Sequence, residues 1–407
     1  MAALYPFRAL RPQPARAARI AAVPYDVVST EEAREQAKGN PLSFLRVSRA
    51  EIELPADTNP YSDEVYERAA KNFADLRKSS LVLEEEPELY IYRLEARGGQ
   101  QTGVAACFSI DEYESDVIKG HERTRRDKED DRTRHLIALG AQTGPVFLVH
   151  RASPAVEAAT TRATAGPPLF DFEAVDGVTH TIWQVGRDAR NELVGAFARL
   201  PALYIADGHH RAASAARARA HMRDQGRAIG EGADFNTVLA VAFPHDQVRI
   251  LPYNRVVKDL GGLSADTFLD LVAQRFAVMP GEPVPKRKGE ISMYCGGQWR
   301  TLRPRRIGDL KDIIASLDVS VLQEELLAPV LKIADVRTDK RIDFVGAIRG
   351  TDALEQLVDS GRAAVAFSLF PVGISELMQV SDQHAIMPPK STWFEPKLRD
   401  GLLIHLI

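Results

Sequence analysis

Five consecutive residues, Asp207-Gly208-His209-His210-Arg211, each carry a group suited to chemistry. Gly208 lets a ligand approach the backbone, Arg211 offers a planar fork to phosphate or carboxylate oxygens, and the two imidazoles change charge near neutral pH. Asp207 adds a carboxylate for a proton or a metal ion. The stretch lies between Leu203-Tyr204-Ile205, which reads as a strand, and residues 212–220 (AASAARARA), which are strong helix formers. A strand therefore hands over to a helix at the polar turn. The first N–H groups of a helix lack intrahelical partners and sit at the positive end of its dipole, so this turn is expected to bind an anion.

Two other stretches concentrate polar groups. Residues 121–135 (HERTRRDKEDDRTRH) hold 11 charged residues of 15, with the two signs nearly balanced. A solvated helix with i,i+4 pairs such as Arg125 with Glu129 and Arg126 with Asp130 is the plain reading. Cations beside carboxylates also suit a nucleotide, because the cations hold phosphates while an acid handles a metal or a proton. Residues 387–397 (MPPKSTWFEPK) form a rigid loop in which Lys390, Ser391 and Thr392 present anion-binding groups and Trp393 an aromatic face. That triplet is no Walker motif, since the upstream glycines are missing, and GxGxxG, HExxH and GxSxG are absent too. No structural zinc site is expected, because His209 and His210 have no matching ligand cluster.

The elements that must position these groups alternate between strand and helix. Residues 21–28 read as a strand entering a loop, and Ser29 with Glu32 has capping-box spacing for a helix to Lys38. A helix over 62–78 carries Val65, Ala69, Phe73 and Leu76 on one face. Residues 89–94 and 104–110 flank Gly98-Gly99 as a hairpin, and strands are expected at 144–150, 180–185, 238–243 and 248–251. Residues 152–168 and 281–289 have linker composition. Later elements are a helix at 268–276, a hairpin at 291–302, a helix at 319–331, a helix-strand pair over 353–369, and strands at 342–348 and 402–407. The pattern predicts an α/β fold with α+β mixed sheets. The expected domains are a core of residues 1–285, with 51–190 inserted, and a C-terminal α/β lobe of 286–407 closing over the site.

At 407 residues, 45% hydrophobic and 27% charged, the composition is that of an ordinary globular protein. A formal charge of -4 gives no general attraction to nucleic acid or anionic membrane, so a phosphate must be held by a local constellation. Cys107 and Cys295, the two cysteines, exclude a disulfide scaffold and a cysteine-rich zinc site. The arginine-bearing start (Arg8, Arg11, Arg16, Arg19) is interrupted by Pro6, Pro12 and Pro14, so a cytoplasmic location without a targeting helix is expected.

Six stretches resemble the domain-of-unknown-function 1015 family: PYDVVS (24–29), NPLSFL (40–45), HERTRRDKEDDR (121–132), ADGHHR (206–211), LPYNRVV (251–257) and MPPKSTWFEPKL (387–398). The DGHHR element is also similar to free serine kinases of ParB/sulfiredoxin-type fold, which phosphorylate free L-serine. That resemblance implies a ParB/sulfiredoxin-like phosphate-binding core in which Gly208, His209 and Arg211 meet a nucleotide's phosphates. It further implies ATP, ADP or pyrophosphate with Mg2+ as donor, and a small-molecule acceptor that includes L-serine.

The resulting expectation is a small-molecule phosphotransferase of kinase type. Gly208 would cradle phosphates, Arg211, His209 and His210 would serve the transfer, and Arg123, Lys128, Arg132, Lys390, Ser391 and Thr392 would hold the polyphosphate. Asp207 or Glu122 would act as base or hold Mg2+, while Tyr25, Asp26 and Trp393 would contact the acceptor. Two alternatives stand beside it: a ParB-like nucleotide-responsive regulator without catalysis, and a phosphatase acting on phosphorylated metabolites. No helix-turn-helix is found, and neither nucleic acid nor membrane is an expected partner.

Overall fold

The computed structural model describes residues 2–227, 234–305 and 312–407. The fold is mixed α/β, and the chain divides into two compact units, Met1–Val248 with Pro396–Ile407, and Arg249–Glu395. The expected boundary at 285/286 falls inside the second unit. There the strands Phe276–Pro280 and Ile291–Cys295 enter one sheet through their shared partner Gln298–Pro304, so the proline-rich stretch 281–289 turns the chain within a unit.

Among the described residues, the first unit is built on a nine-stranded sheet. From the edge strand Ile118–Lys119 it runs Leu203–Asp207, Val146–His150, Thr237–Pro244, Gly99–Ser109 and Tyr90–Ala96. Val146–His150 is antiparallel to Leu203–Asp207 and parallel to Thr237–Pro244, so the sheet is mixed. The hairpin expected around Gly98-Gly99 is present as Tyr90–Ala96 against Gly99–Ser109. The helix His209–Asp224 lays Ala212, Ala215 and Ala218 on a core that includes Val146, Leu148, Leu203 and Ile205. Small side chains there let the helix approach the sheet closely while the packing stays dense.

A smaller sheet ties the chain ends together, with Ala9–Pro12 beside Ile404–Leu406. Ser29 and Glu32 form both bonds of the capping box on the Thr30–Gln36 helix, and Asp63–Ser79 buries Val65, Ala69, Phe73 and Leu76 as its spacing predicts. Two expectations fail. Residues 21–28 contain a single bridge, Ala22 to Asp400, because Pro24 has no N–H to donate to a ladder and the chain turns immediately after it. Residues 152–168 include the helix Pro154–Ala163, where Pro at the first helical position and a run of alanines outweigh the linker-like composition.

Among the described residues, the second unit carries a six-stranded sheet and a separate pair of strands, Arg249–Leu251 with Trp393–Glu395. The helix expected over 319–331 is an α-helical turn, Asp318–Leu322, that widens into π geometry at Gln323–Leu327. No helix among the described residues is long and apolar enough to cross a membrane.

Candidate functional site

Asp207 ends its strand just after a bulge, and Gly208 opens the following helix with φ 92° and ψ 27°. This left-handed geometry costs a residue with a side chain about 1–2 kcal/mol, which is why glycine stands there. A β-carbon on Gly208 would lie 3.4 Å from Val146 Cα, so the turn rests against the neighbouring strand. No side chain caps the helix; Asp207 Oδ1 instead accepts the Gly208 N–H at 2.9 Å.

Each group of the turn is held differently. Burial acts to raise the Asp207 carboxyl, but Lys397 Nζ at 2.8 Å and nearby Arg211 override it and keep the group below the ordinary carboxylate range. His209 is 5% exposed, and its Nε2 accepts the His121 N–H at 3.3 Å. Its ring crosses that of His121 edge to face at 4.6 Å. Burial, then repulsion from His121, push His209 well below the usual imidazole value, so it is neutral with its hydrogen on Nδ1, facing Glu122 Oε2 at 3.8 Å. His210 Nε2 accepts the Arg125 N–H at 3.0 Å, and burial lowers its pKa as well.

Arg211 keeps its charge although buried. Burial acts to lower its pKa, but Asp400, Asp26 and Asp207 raise it. Nη1 donates to the Pro145 carbonyl at 2.9 Å, whereas Nη2 stands 3.8 Å from Asp400 Oδ1 and 3.9 Å from Asp26 Oδ1, beyond hydrogen-bond length. Tyr25 completes the setting: the Arg132 guanidinium lies over its ring at 4.1 Å and that of Arg211 at 5.9 Å.

Asp400 was not singled out by sequence. It comes from the returning C-terminal segment, which bridges Ala22 on the N-terminal loop and so fixes Asp400 near Asp26. Asp400 is 3% exposed, its Oδ1 has no hydrogen-bond partner, and burial outweighs the pull of Arg211 to raise its pKa to about 6. The carboxylate occupies the space beside Gly144, where an added β-carbon would lie 2.1 Å from Oδ1. Nothing in Arg399-Asp400-Gly401 marks it as functional without the fold; Lys397, the last residue of the 387–397 stretch, joins Asp207 by the same return.

Two cavities share Tyr25, Ser48, Arg132 and His135 as lining. One, of about 50 Å³, also meets Arg211, Gly144 and Asp400. The other, of about 230 Å³, also meets Arg49, Tyr61 and Lys128. Lys128 donates to Tyr61 Oη at 2.9 Å. The charged helix Arg126–Leu139 thus brings Lys128 and Arg132 beside the turn, while Arg123 is exposed. Its carboxylates do not form the expected i,i+4 pairs: Arg125 turns to Asp127, and Glu129 and Asp130 both meet Arg217 of the His209–Asp224 helix. The pairing crosses between helices because the two pack side by side. Asp131 and His135 are buried elsewhere, Asp131 Oδ1 accepting from Tyr66 Oη at 2.8 Å and His135 Nε2 lying 2.9 Å from the Val47 carbonyl.

Lys390, Ser391, Thr392 and Trp393 belong to the second unit. Lys390 Nζ lies 3.4 Å from Tyr253 Oη, Ser391 Oγ donates to Pro388 O at 2.6 Å, and Trp393 Nε1 donates to Glu395 at 2.6 Å. The Lys390 carbonyl accepts from the buried Arg255 at 3.0 Å, and Thr392 is half-buried. Among the described residues, no group of three or more His, Cys, Asp or Glu is arranged to hold a metal ion.

Solved structures similar to the chain are distant. A conserved hypothetical protein from Pyrococcus furiosus shares 14% identity at a TM-score of 0.36, over 74% of this chain and 95% of its own. A free serine kinase variant in complex with AMP shares 14% identity at 0.39, over 74% and 92%. SbnI from Staphylococcus aureus, truncated at its C-terminus, shares 13% at 0.39, over 74% and 87%. No curated protein matches the chain in sequence. The sequence pattern of DUF1015, a protein family of unknown function, matches residues 4–320, and the chain belongs to that family.

Proposed function

We propose that the chain is a phosphotransferase that moves a phosphoryl group from ATP, ADP or pyrophosphate to a hydroxyl of a small metabolite, L-serine being the first acceptor to try. One observation carries this reading. Arg211 is a buried cation with one nitrogen facing two carboxylates from beyond hydrogen-bond reach, at a helix start that no side chain caps. Such a place suits an oxyanion that both the guanidinium and the first helical N–H groups can meet. The DGHHR resemblance to free serine kinases supports the same reading.

Arg132 and Lys128 sit along the larger cavity and would neutralise the rest of a polyphosphate. His209, neutral and held by the His121 backbone, positions the turn more naturally than it neutralises charge. Mg2+ arriving with a polyphosphate needs only one or two protein carboxylates, and would supply further charge neutralisation. Asp26, about half exposed, is the carboxylate we propose would hold it. Asp207 is committed to Lys397, so the proton acceptor we assign is Asp400. The acceptor oxygen forms a bond to phosphorus, the bond from phosphorus to the donor's bridging oxygen breaks, and the acceptor's proton passes to Asp400.

The test is product analysis. The protein is incubated with Mg2+ and each of ATP, ADP and pyrophosphate, with L-serine or a pool of hydroxylated metabolites, and followed by phosphorus NMR. A new phosphomonoester supports transfer, free phosphate alone supports the hydrolase, and an unchanged donor contradicts both.

A further inference from the structure

A third cavity, of about 240 Å³, lies at the other end of the strand that supports the turn. Val146 touches Gly208, whereas His150, four residues along Val146–His150, lines this cavity; at about 3.3 Å per residue the two ends are roughly 13 Å apart. Its other wall is one face of the helix Pro154–Ala163, from Ser153 through Val156 and Thr160 to Thr164.

His150 is 1% exposed. Its Nδ1 lies 2.8 Å from the Arg151 carbonyl, which makes it the ring donor and leaves Nε2 as an acceptor. Nε2 has no partner, although a buried acceptor without one costs about 1–3 kcal/mol. Burial lowers the pKa of His150, so the ring is neutral at physiological pH and cannot serve as an anion's counter-charge. The cation of the cavity is Arg93, whose guanidinium lies over the Trp183 ring at 4.7 Å and whose Nε donates to Thr102 at 3.4 Å, so its plane is fixed. Asp246 and Glu157 supply negative charge to the same cavity.

We propose that this cavity binds a small zwitterion of the α-amino acid class, its carboxylate on Arg93 and its ammonium donating to His150 Nε2 with Asp246 beside it. An acceptor imidazole requires a donor, an arginine requires an anion, and the acidic groups disfavour a purely anionic ligand. The volume suits a molecule below drug size. This site is independent of the phosphoryl-transfer reading, since no residue that lines it takes part in the turn.

Calorimetric titration of the full chain with each of the twenty α-amino acids tests the proposal. At least one should bind, while the corresponding carboxylate without an ammonium, and the amine without a carboxylate, should not. Arg93→Gln and His150→Phe should each weaken binding about tenfold or more, the loss expected for a hydrogen bond to a charged group. Thr160→Trp, on the lining helix face, should fill the cavity and abolish binding; because Thr160 is only half-buried, this variant keeps the test decisive if His150→Phe does not fold. Arg211→Ala should leave the affinity unchanged. Absence of binding by every amino acid overturns the proposal, as does binding that survives Thr160→Trp but is lost in Arg211→Ala, which would place the ligand at the turn.

Discussion

At the scale of single residues, the proposed transfer rests on Arg211 and Asp400. Removal of a charged group that meets a developing charge in the transition state typically costs 2.7–4 kcal/mol, so Arg211→Ala should slow phosphoryl transfer about 100- to 1000-fold. Arg211→Lys should recover only part of this, because a point charge does not replace a planar fork. Circular dichroism should show both variants folded. Asp400 accepts a proton only when ionised, and burial has raised its pKa to about 6. Activity should therefore rise with pH through about 6 and level off above it, and Asp400→Asn should remove this acidic limb along with most of the rate. An unchanged pH profile in Asp400→Asn would assign the base elsewhere.

At the scale of elements, two glycines hold the site open. Gly208→Val forces a β-branched residue into the left-handed region, and the unfolding midpoint in urea should drop by an amount equivalent to about 1–2 kcal/mol. Gly144→Ala has a different signature. Its β-carbon would occupy the place of the Asp400 carboxylate, so activity should fall and the acidic limb of the profile should move, since the displaced carboxyl no longer has the same burial. The strand, turn and helix around 207–211 were legible in the sequence because local propensity and spacing agree there. The helix Pro154–Ala163 was obscured by small residues that read equally well as a linker. His121 and Lys397 lie in the polar stretches 121–135 and 387–397 that the sequence singles out, but their places at the turn, and Asp400 altogether, were not legible, because pairings between segments far apart in the chain bring them there, and one sequence records no such pairing.

At the scale of the whole molecule, buried neutral histidines dominate the response to acid. His121 and His135 are each held at about 4 against an ordinary 6.5, chiefly by burial, and His150, His180, His209, His210 and His405 are lowered too. A depressed pKa means that the unfolded chain binds more protons between the two values, so the stability these groups contribute is present above about 6.5 and lost as pH falls toward 4. For His121 and His135 the loss is on the order of 3 kcal/mol each at pH 4. Asp400, Asp318 and Glu112 work the other way, since a carboxyl pKa raised by burial means that stability is gained as pH falls, through about 6 for Asp400 and Asp318, but they are three groups against seven. All seven histidines lie in the first unit, so hydrogen exchange at pH 5 should rise there before it does in Arg249–Glu395. Equal protection of both units at pH 5 and pH 7.5 would contradict this.

The central claim is that the turn at Gly208 grips a phosphate through Arg211. Calorimetric titration of Mg2+ with ATP, ADP and pyrophosphate into the native chain and into Arg211→Ala tests it most directly. The expected result is saturable binding of at least one of the three that falls about tenfold or more in the variant. Heat-silent titrations with all three, or equal affinity in the two proteins, would contradict it.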